Sequence, residues 1–327
     1  MTAQLAQLDH LAGETGLRPH DVTAAAIRIA RHIRRTPVLD VLPGVLLKAE
    51  HLQHSGSFKL RGATNAVLAL GARRIVTGSS GNHGIALAGL AGRLGLDLTV
   101  VLAAGASPQK AALIEALGAR TVTVTGGVAE REVHARELAE RTGAVLVPSS
   151  DHPLVVAGQG TVGREILADV PDADTVYVPT GGGGLLAGVC LAATGRPVRV
   201  VGVEPATTPR YARSLAAGRP LRLPPSATVA DGLRGQQPGT VTYPIVRDRV
   251  DALIAVTDAE ILAAVDLLAR HGVEAEPSGA VALAGALRAG PTGRAVAVVS
   301  GGNTASALRT ATARQSPGPR KHPVPTS

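Results

Sequence analysis

Short unbroken runs of β-branched residues recur along the 327-residue chain, and helix-length amphipathic stretches separate them. The runs occupy 74–77, 98–102, 121–124, 144–147, 175–178, 198–203 and 295–299. They are continuously apolar rather than alternating, as strands buried on both faces must be. Stretches such as 109–117 and 130–141 carry Ala, Leu and Val at helical spacing. Repeated strand–helix–strand units predict parallel sheets flanked by helices. The four runs between 74 and 147 form one group and the later runs a second, so two open α/β lobes are expected. Ligands of open α/β sheets bind beyond the carboxyl ends of the strands, which places the expected site in a cleft between the lobes.

Composition narrows the class. Hydrophobic content of 45% and charged content of 18% suit a water-soluble enzyme, and no apolar run reaches membrane-spanning length. The first residues lack the basic start and apolar core of a secretory signal. Cys190 is the single cysteine, so neither a disulfide framework nor a cysteine metal site is possible within the chain. A cytoplasmic protein is the expectation. The net charge of +8 invites a nucleic-acid reading, but the arginines are scattered, and Arg314, Arg320 and Lys321 lie among tail prolines. With one Phe and no Trp there is little to stack on bases, so no nucleic-acid partner is expected.

Five glycine- and serine-rich segments follow strands or open helices. Gly181, Gly182, Gly183 and Gly184 form a loop between a strand and a helix, where successive N–H groups and the helix terminus can cradle a phosphate. The plain alternative is a tight turn without a ligand. Gly182-x-Gly184-x-x-Ala187, with Glu204 about 20 residues on, also fits a dinucleotide fingerprint and keeps an NAD-dependent dehydrogenase in play. Lys59 stands in Ser57-Phe58-Lys59-Leu60-Arg61-Gly62-Ala63, one of four lysines with Lys48, Lys110 and Lys321. A lysine in apolar surroundings can form a Schiff base. Ser79-Ser80-Gly81-Asn82-His83-Gly84 offers hydroxyls, an amide and a helix start suited to a carboxylate, or simply a serine N-cap. Glu276-Pro277-Ser278-Gly279-Ala280 and Val299-Ser300-Gly301-Gly302-Asn303 complete the set.

In this order, and with Arg35-Thr36-Pro37-Val38, Ala157-Gly158-Gln159-Gly160-Thr161 and Ala230-Asp231-Gly232, these segments resemble the fold-type II pyridoxal-5′-phosphate (PLP) enzymes. The resemblance is to the threonine/serine dehydratase and serine racemase branch, from about residue 20 to 305. It implies two lobes of the tryptophan synthase β-like kind: a large PLP domain of 1–70 and 150–313 and a small mobile domain of 71–149, while the Pro- and polar-rich stretch of 314–327 reads as a disordered tail. It implies that Lys59 holds the cofactor as a Schiff base and acts as base, with Phe58 on one ring face and Gly232 on the other. Asn82 would bond the phenolic oxygen, Gly181 to Gly184 the phosphate, and Ser300 would be the partner of the ring nitrogen, with Glu276 near cofactor and substrate. Ser79, Ser80, Asn82, His83 and Ser150 would meet a small amino-acid substrate. A homodimer is implied as well.

The implied reaction is loss of ammonia from a small L-β-hydroxy amino acid to give a 2-oxo acid, with racemisation as the alternative. A neutral hydroxyl at Ser300 suits elimination or racemisation better than transamination. Ser80 stands where the racemases carry an acid/base serine, and capping of the next helix is its plain alternative. Two positions depart from the pattern. Glu204 matches a glutamate of the divalent-cation site of part of the branch, but Arg210 stands where its acidic partner would be, so no metal is expected and Arg210 is expected to neutralise Glu204. Ser150 is smaller and more polar than the phenylalanine common at its position. No regulatory domain is expected after Asn303.

Overall fold

A computed structural model describes residues 16–290 and 293–315. Among the described residues, ten strands form two separate sheets. The larger runs in the order β1 (Val38–Leu42), β2 (Val45–Lys48), β10 (Ala295–Val298), β7 (Thr175–Pro179), β8 (Arg199–Pro205), β9 (Ala252–Val256). All its neighbours are parallel except the β1–β2 hairpin. The smaller is wholly parallel in the order β5 (Arg120–Thr123), β4 (Asp97–Leu102), β3 (Arg74–Gly78), β6 (Val145–Leu146).

The seven predicted runs are all strands, within one or two residues. Three strands escaped the pattern. β1 and β2 are short and meet through Pro43-Gly44, where Gly44 takes a φ of 75°; β9 is an edge strand with Ala255 exposed. Asp40 interrupts β1 and β2 spans four residues ending in Lys48, whereas β9 is an apolar run of only five residues.

Twelve helices are described: α1 (Pro19–Ile29), α2 (Lys59–Leu70), α3 (Asn82–Leu94), α4 (Pro108–Ala116), α5 (Val128–Thr142), α6 (Pro153–Asp169), α7 (Gly184–Ala192), α8 (Arg210–Ala216), α9 (Thr242–Arg249), α10 (Asp258–Arg270), α11 (Pro277–Ala289) and α12 (Ala305–Gln315). Val176, Val178, Val200, Val296 and Val298 pack one face of the large sheet against α6 and α7, while Tyr177, Val201, Val203 and Ala297 pack the other against α10 and α11. This two-sided burial is why the central strands read as unbroken apolar runs. Leu60, Ala63, Ala66 and Val67 of α2 join Ile75, Leu98 and Val100 of the small sheet in one apolar cluster, which also takes Val155 of α6 and Leu308 of α12.

Residues 314 and 315, read as the start of the tail, continue α12. The Ala-rich segment sustains helix up to Gln315. The remainder of that tail, and the N-terminal residues read for a signal, lie outside the described residues. Among the described residues no helix is long and apolar enough to cross a membrane.

The 157–161 segment proves to be a packing device. A Cβ on Gly158 would lie 2.7 Å from the Cα of Gly62, so these glycines bring α6 and α2 into backbone contact. Gly62 N–H donates to Gln159 Oε1 at 3.2 Å across the same seam. The seam fixes the first turn of α2, which carries Lys59.

Candidate active site

The carboxyl ends of β3, β6, β7 and β10 open onto one junction between the sheets, and α3, α7 and α11 begin there. Lys59 is the first residue of α2. Two residues on, Arg61 is fully buried and held by Glu50 and Glu165 through four bonds of 2.7–2.8 Å. Burial works against the Arg61 charge, but the two carboxylates outweigh it and raise its pKa. Lys48 joins the network at 2.7 Å from Glu165. A buried cation this fully paired is costly to move, so the helix start is a rigid platform.

The half-buried Lys59 amine donates to the Ser149 carbonyl at 2.6 Å and lies 5.1 Å from the centre of the Phe58 ring. Burial first, then the charge of Arg131, lowers its pKa to about 8. It is thus far easier to deprotonate near neutral pH than an ordinary lysine.

Contacts run continuously from Lys59 through the other expected residues. Ser150 follows Ser149 and lies against the glycine loop; a Cβ on Gly184 would be 2.9 Å from the Ser150 carbonyl oxygen. The turn after β6 thus runs directly against Gly182 and Gly184. Gly183 has a φ of 89°, a conformation that favours glycine. Gly181 abuts Gly232 and Leu233. Gly232 N–H donates to Ser278 Oγ at 2.9 Å, and Ser300 Oγ donates to the Ser278 carbonyl at 3.3 Å. The Ser300 carbonyl accepts from Phe58 N–H at 3.1 Å, closing the circuit.

The small sheet supplies the opposite wall. Asn82 donates to Glu276 and accepts from Asn303 Nδ2 at 3.0 Å. Glu276 also accepts from Lys110 at 3.2 Å, and Lys110 reaches Asp231 at 2.7 Å. Burial opposes the Lys110 charge, but Glu276 and Asp231 outweigh it and raise its pKa. Lys110 sits on α4 of the small sheet, whereas Glu276 and Asp231 belong to the large-sheet side, so this triad ties the lobes together. Neither Lys110 nor Asn303 was singled out from the sequence as a site residue; the scarcity of lysine was the available signal.

Ser79 is buried, and its Oγ accepts from Gly81 N–H at a long 3.4 Å. Ser80 does not cap α3: its Oγ accepts from Ala103 N–H at 2.9 Å, beyond β4, and the N-cap residue is Gly81. His83 departs from expectation. Its ring turns into the core, with Nε2 3.1 Å from the Val147 carbonyl and Nδ1 without a partner. Burial, then the charge of Lys59, lowers its pKa to about 3, so the ring is neutral and cannot serve as a cationic carboxylate ligand. Only its backbone N–H, in the first turn of α3, faces the open helix end. Arg131 on α5 went unnoticed in the sequence. It is largely buried, its Nε has no partner, and its charge depresses both Lys59 and His83.

Glu204 and Arg210 also differ from expectation. Glu204 accepts from the N–H groups of Tyr211 and Ala212 at 2.9 and 3.0 Å, capping α8. It makes no direct pair with Arg210, whose guanidinium turns to backbone oxygens instead. A carboxylate buried and spent on a helix start cannot bind a ribose, which removes the physical basis of the dinucleotide reading. Burial raises the Glu204 pKa, and the charge of Arg210 works against that rise without a direct ion pair.

The fold and this junction define a cofactor-dependent enzyme of amino-acid chemistry: a depressed lysine, a glycine cradle at a helix start, and a second loop of free N–H groups facing it. Residues 29–301 match the pyridoxal-phosphate dependent enzyme family, and the chain belongs to it. It is 38% identical to an L-threonine ammonia-lyase of Geobacter sulfurreducens over 84% of this chain and 73% of that one. Against an L-threo-3-hydroxyaspartate ammonia-lyase of Saccharomyces cerevisiae the identity is 36%, over 86% and 92%. Its fold is similar to that of maize serine racemase, with a TM-score of 0.83 and 35% identity over 91% of this chain and 97% of that one. It is therefore a PLP-dependent enzyme of the ammonia-lyase and racemase kind. The residues present fit PLP: an amine of low pKa, and a cradle whose N–H groups at Gly181, Gly182 and Gly183 have no protein acceptor among the described residues.

Proposed function

We propose that this enzyme releases ammonia and a 2-oxo acid from a small L-β-hydroxy amino acid such as serine or threonine. The observation that carries the reading is Lys59, an amine with its pKa lowered to about 8 at the point where both sheets' loops meet. PLP, when bound, supplies an electron sink for the bond broken at the substrate Cα. Lys59 would hold its aldehyde carbon, then take the Cα proton as a free amine. Gly181 to Gly184 would hold the phosphate, Phe58 and Gly232 would flank the ring, and Asn82 would reach the phenolic oxygen. Ser300, a neutral hydroxyl, would not retain a proton on the ring nitrogen, which favours rapid loss of the β-hydroxyl. The free N–H groups of the 79–84 loop, with Ser79, would take the substrate carboxylate. The test is a screen of β-hydroxy amino acids for 2-oxo acid release; it includes 3-hydroxyaspartate, since Arg131 offers a partner to a second carboxylate. No release from any member would sink the proposal.

Ser80 supports a second activity, racemisation. Its oxygen accepts from Ala103, which leaves its proton available to donate, and the helix-cap explanation does not apply. Ser80→Ala should abolish formation of the opposite enantiomer while 2-oxo acid release from the L-substrate continues. Unchanged inversion in the variant would restrict Ser80 to a structural role.

A further inference from the structure

Arg210 is one of the largest fully buried side chains, and every hydrogen bond of its guanidinium goes to an uncharged oxygen, Glu204 acting on it only through its charge. Nη1 donates to the carbonyls of Thr180 and Gly181, both at 3.0 Å; Nη2 donates to Thr208 Oγ1 at 3.1 Å and to the Leu233 carbonyl. A desolvated guanidinium without a carboxylate partner is expensive, so its position calls for a reason. The next residue continues the pattern. Tyr211 Oη and Thr242 Oγ1 lie 2.8 Å apart and 3.1 and 2.9 Å from the Gly182 carbonyl oxygen, so one hydroxyl donates to that carbonyl and the other donates to its neighbour.

Three successive carbonyls, those of Thr180, Gly181 and Gly182, are thus pinned toward α8 and α9. In a planar trans peptide the C=O of one residue and the N–H of the next point in opposite directions. Pinning these carbonyls therefore turns the N–H groups of Gly181, Gly182 and Gly183 the other way, where successive N–H groups make an anion-binding concavity. Glycines alone permit many loop shapes; the side chains behind the loop select one.

We propose that Arg210 is a positioning residue that, with Tyr211 and Thr242, holds the glycine loop in its phosphate-binding shape. The arginine serves as a built-in cation at the back of the loop. Its bond to Leu233 couples the loop to the turn carrying Gly232. The inference rests on the reading of Gly181 to Gly184 as the phosphate cradle.

The test compares PLP with pyridoxal, which lacks the phosphate. The full-length protein is stripped of cofactor and titrated with each, with binding followed by absorbance and folding by circular dichroism. Wild type should prefer PLP. Arg210→Ala should weaken PLP about ten- to hundredfold, the value of hydrogen bonds to a charged group, and leave pyridoxal nearly unchanged. Arg210→Lys, which keeps the charge but not the fork, should fall between them. Tyr211→Phe, which removes one hydroxyl, should show a smaller loss of the same selectivity, and it carries the test with Arg210→Lys if the alanine variant does not fold. Equal weakening of both ligands, or an unchanged preference for PLP in the folded variants, would overturn the role of Arg210. A wild type without preference for PLP would instead overturn the phosphate cradle, and the inference with it.

Discussion

Replacing His83 with glutamine should flatten the acid sensitivity of the fold. The histidine ring is buried, accepts no charge partner, and titrates near 3 rather than at the ordinary 6.5. Below pH 6.5 the unfolded chain binds a proton that the folded chain refuses, so stability is lost as pH falls from 6.5 toward 3. Linkage with these two values gives a loss of about 2 kcal/mol between pH 7 and pH 5 from this residue alone. Glutamine can keep a donor near the Val147 carbonyl and does not titrate. His51, whose pKa burial lowers to about 4, contributes a similar loss in both proteins and cancels in the comparison. Urea unfolding of the cofactor-free chain at both pH values measures the difference. Wild type should lose about 2 kcal/mol more than His83→Gln on acidification, a midpoint difference of roughly 0.7–1 M at an m of about 2–3 kcal/mol/M. Equal pH dependence in the two proteins would refute the assignment of a buried neutral ring.

Lys59→Ala should abolish turnover and the near-ultraviolet to blue absorbance of the bound cofactor; persistence of that absorbance in a folded variant would remove Lys59 from its role. Lys110→Met leaves the buried Glu276 without its cation and should destabilise the protein by about 3 kcal/mol, whereas Asp231→Asn, at a side chain 38% exposed, should cost under about 1 kcal/mol. Equal losses by thermal denaturation would show that the triad is not organised around Glu276. Magnesium or calcium should not raise activity, because both Glu204 oxygens already accept backbone N–H bonds and the Arg210 charge acts on the same carboxylate; a saturable gain that disappears in Glu204→Gln would contradict this.

Much of the architecture was legible because it is written in neighbouring residues. A strand buried on both faces shows itself as a run such as 175–178 whatever lies beyond it, and a glycine-rich turn between strand and helix is equally local. The order and spacing of the motifs around Lys59, Asn82, Gly181, Glu276 and Ser300 were enough to anticipate the PLP family. The hairpin of β1 and β2 stayed hidden because Asp40 and Lys48 interrupt its apolar pattern, and β9, though apolar throughout, is a five-residue run that periodicity alone does not separate from a helix segment.

Side-chain direction and partnership were decided only by the tertiary structure. His83 stands in a motif that looks made for a carboxylate, yet its ring packs inward because the Val147 carbonyl, 64 residues away, lies behind it. Ser80 bonds the backbone beyond β4 instead of capping its own helix. Lys110 meets Glu276 at a separation of 166 residues, and Arg210 turns from its sequence neighbour Glu204 to Thr180, Gly181 and Leu233. Periodicity and turn chemistry depend on residues a few positions apart, so a linear sequence displays them. The partner of a buried charge is whatever the fold carries to it, and only the folded chain brings the two together.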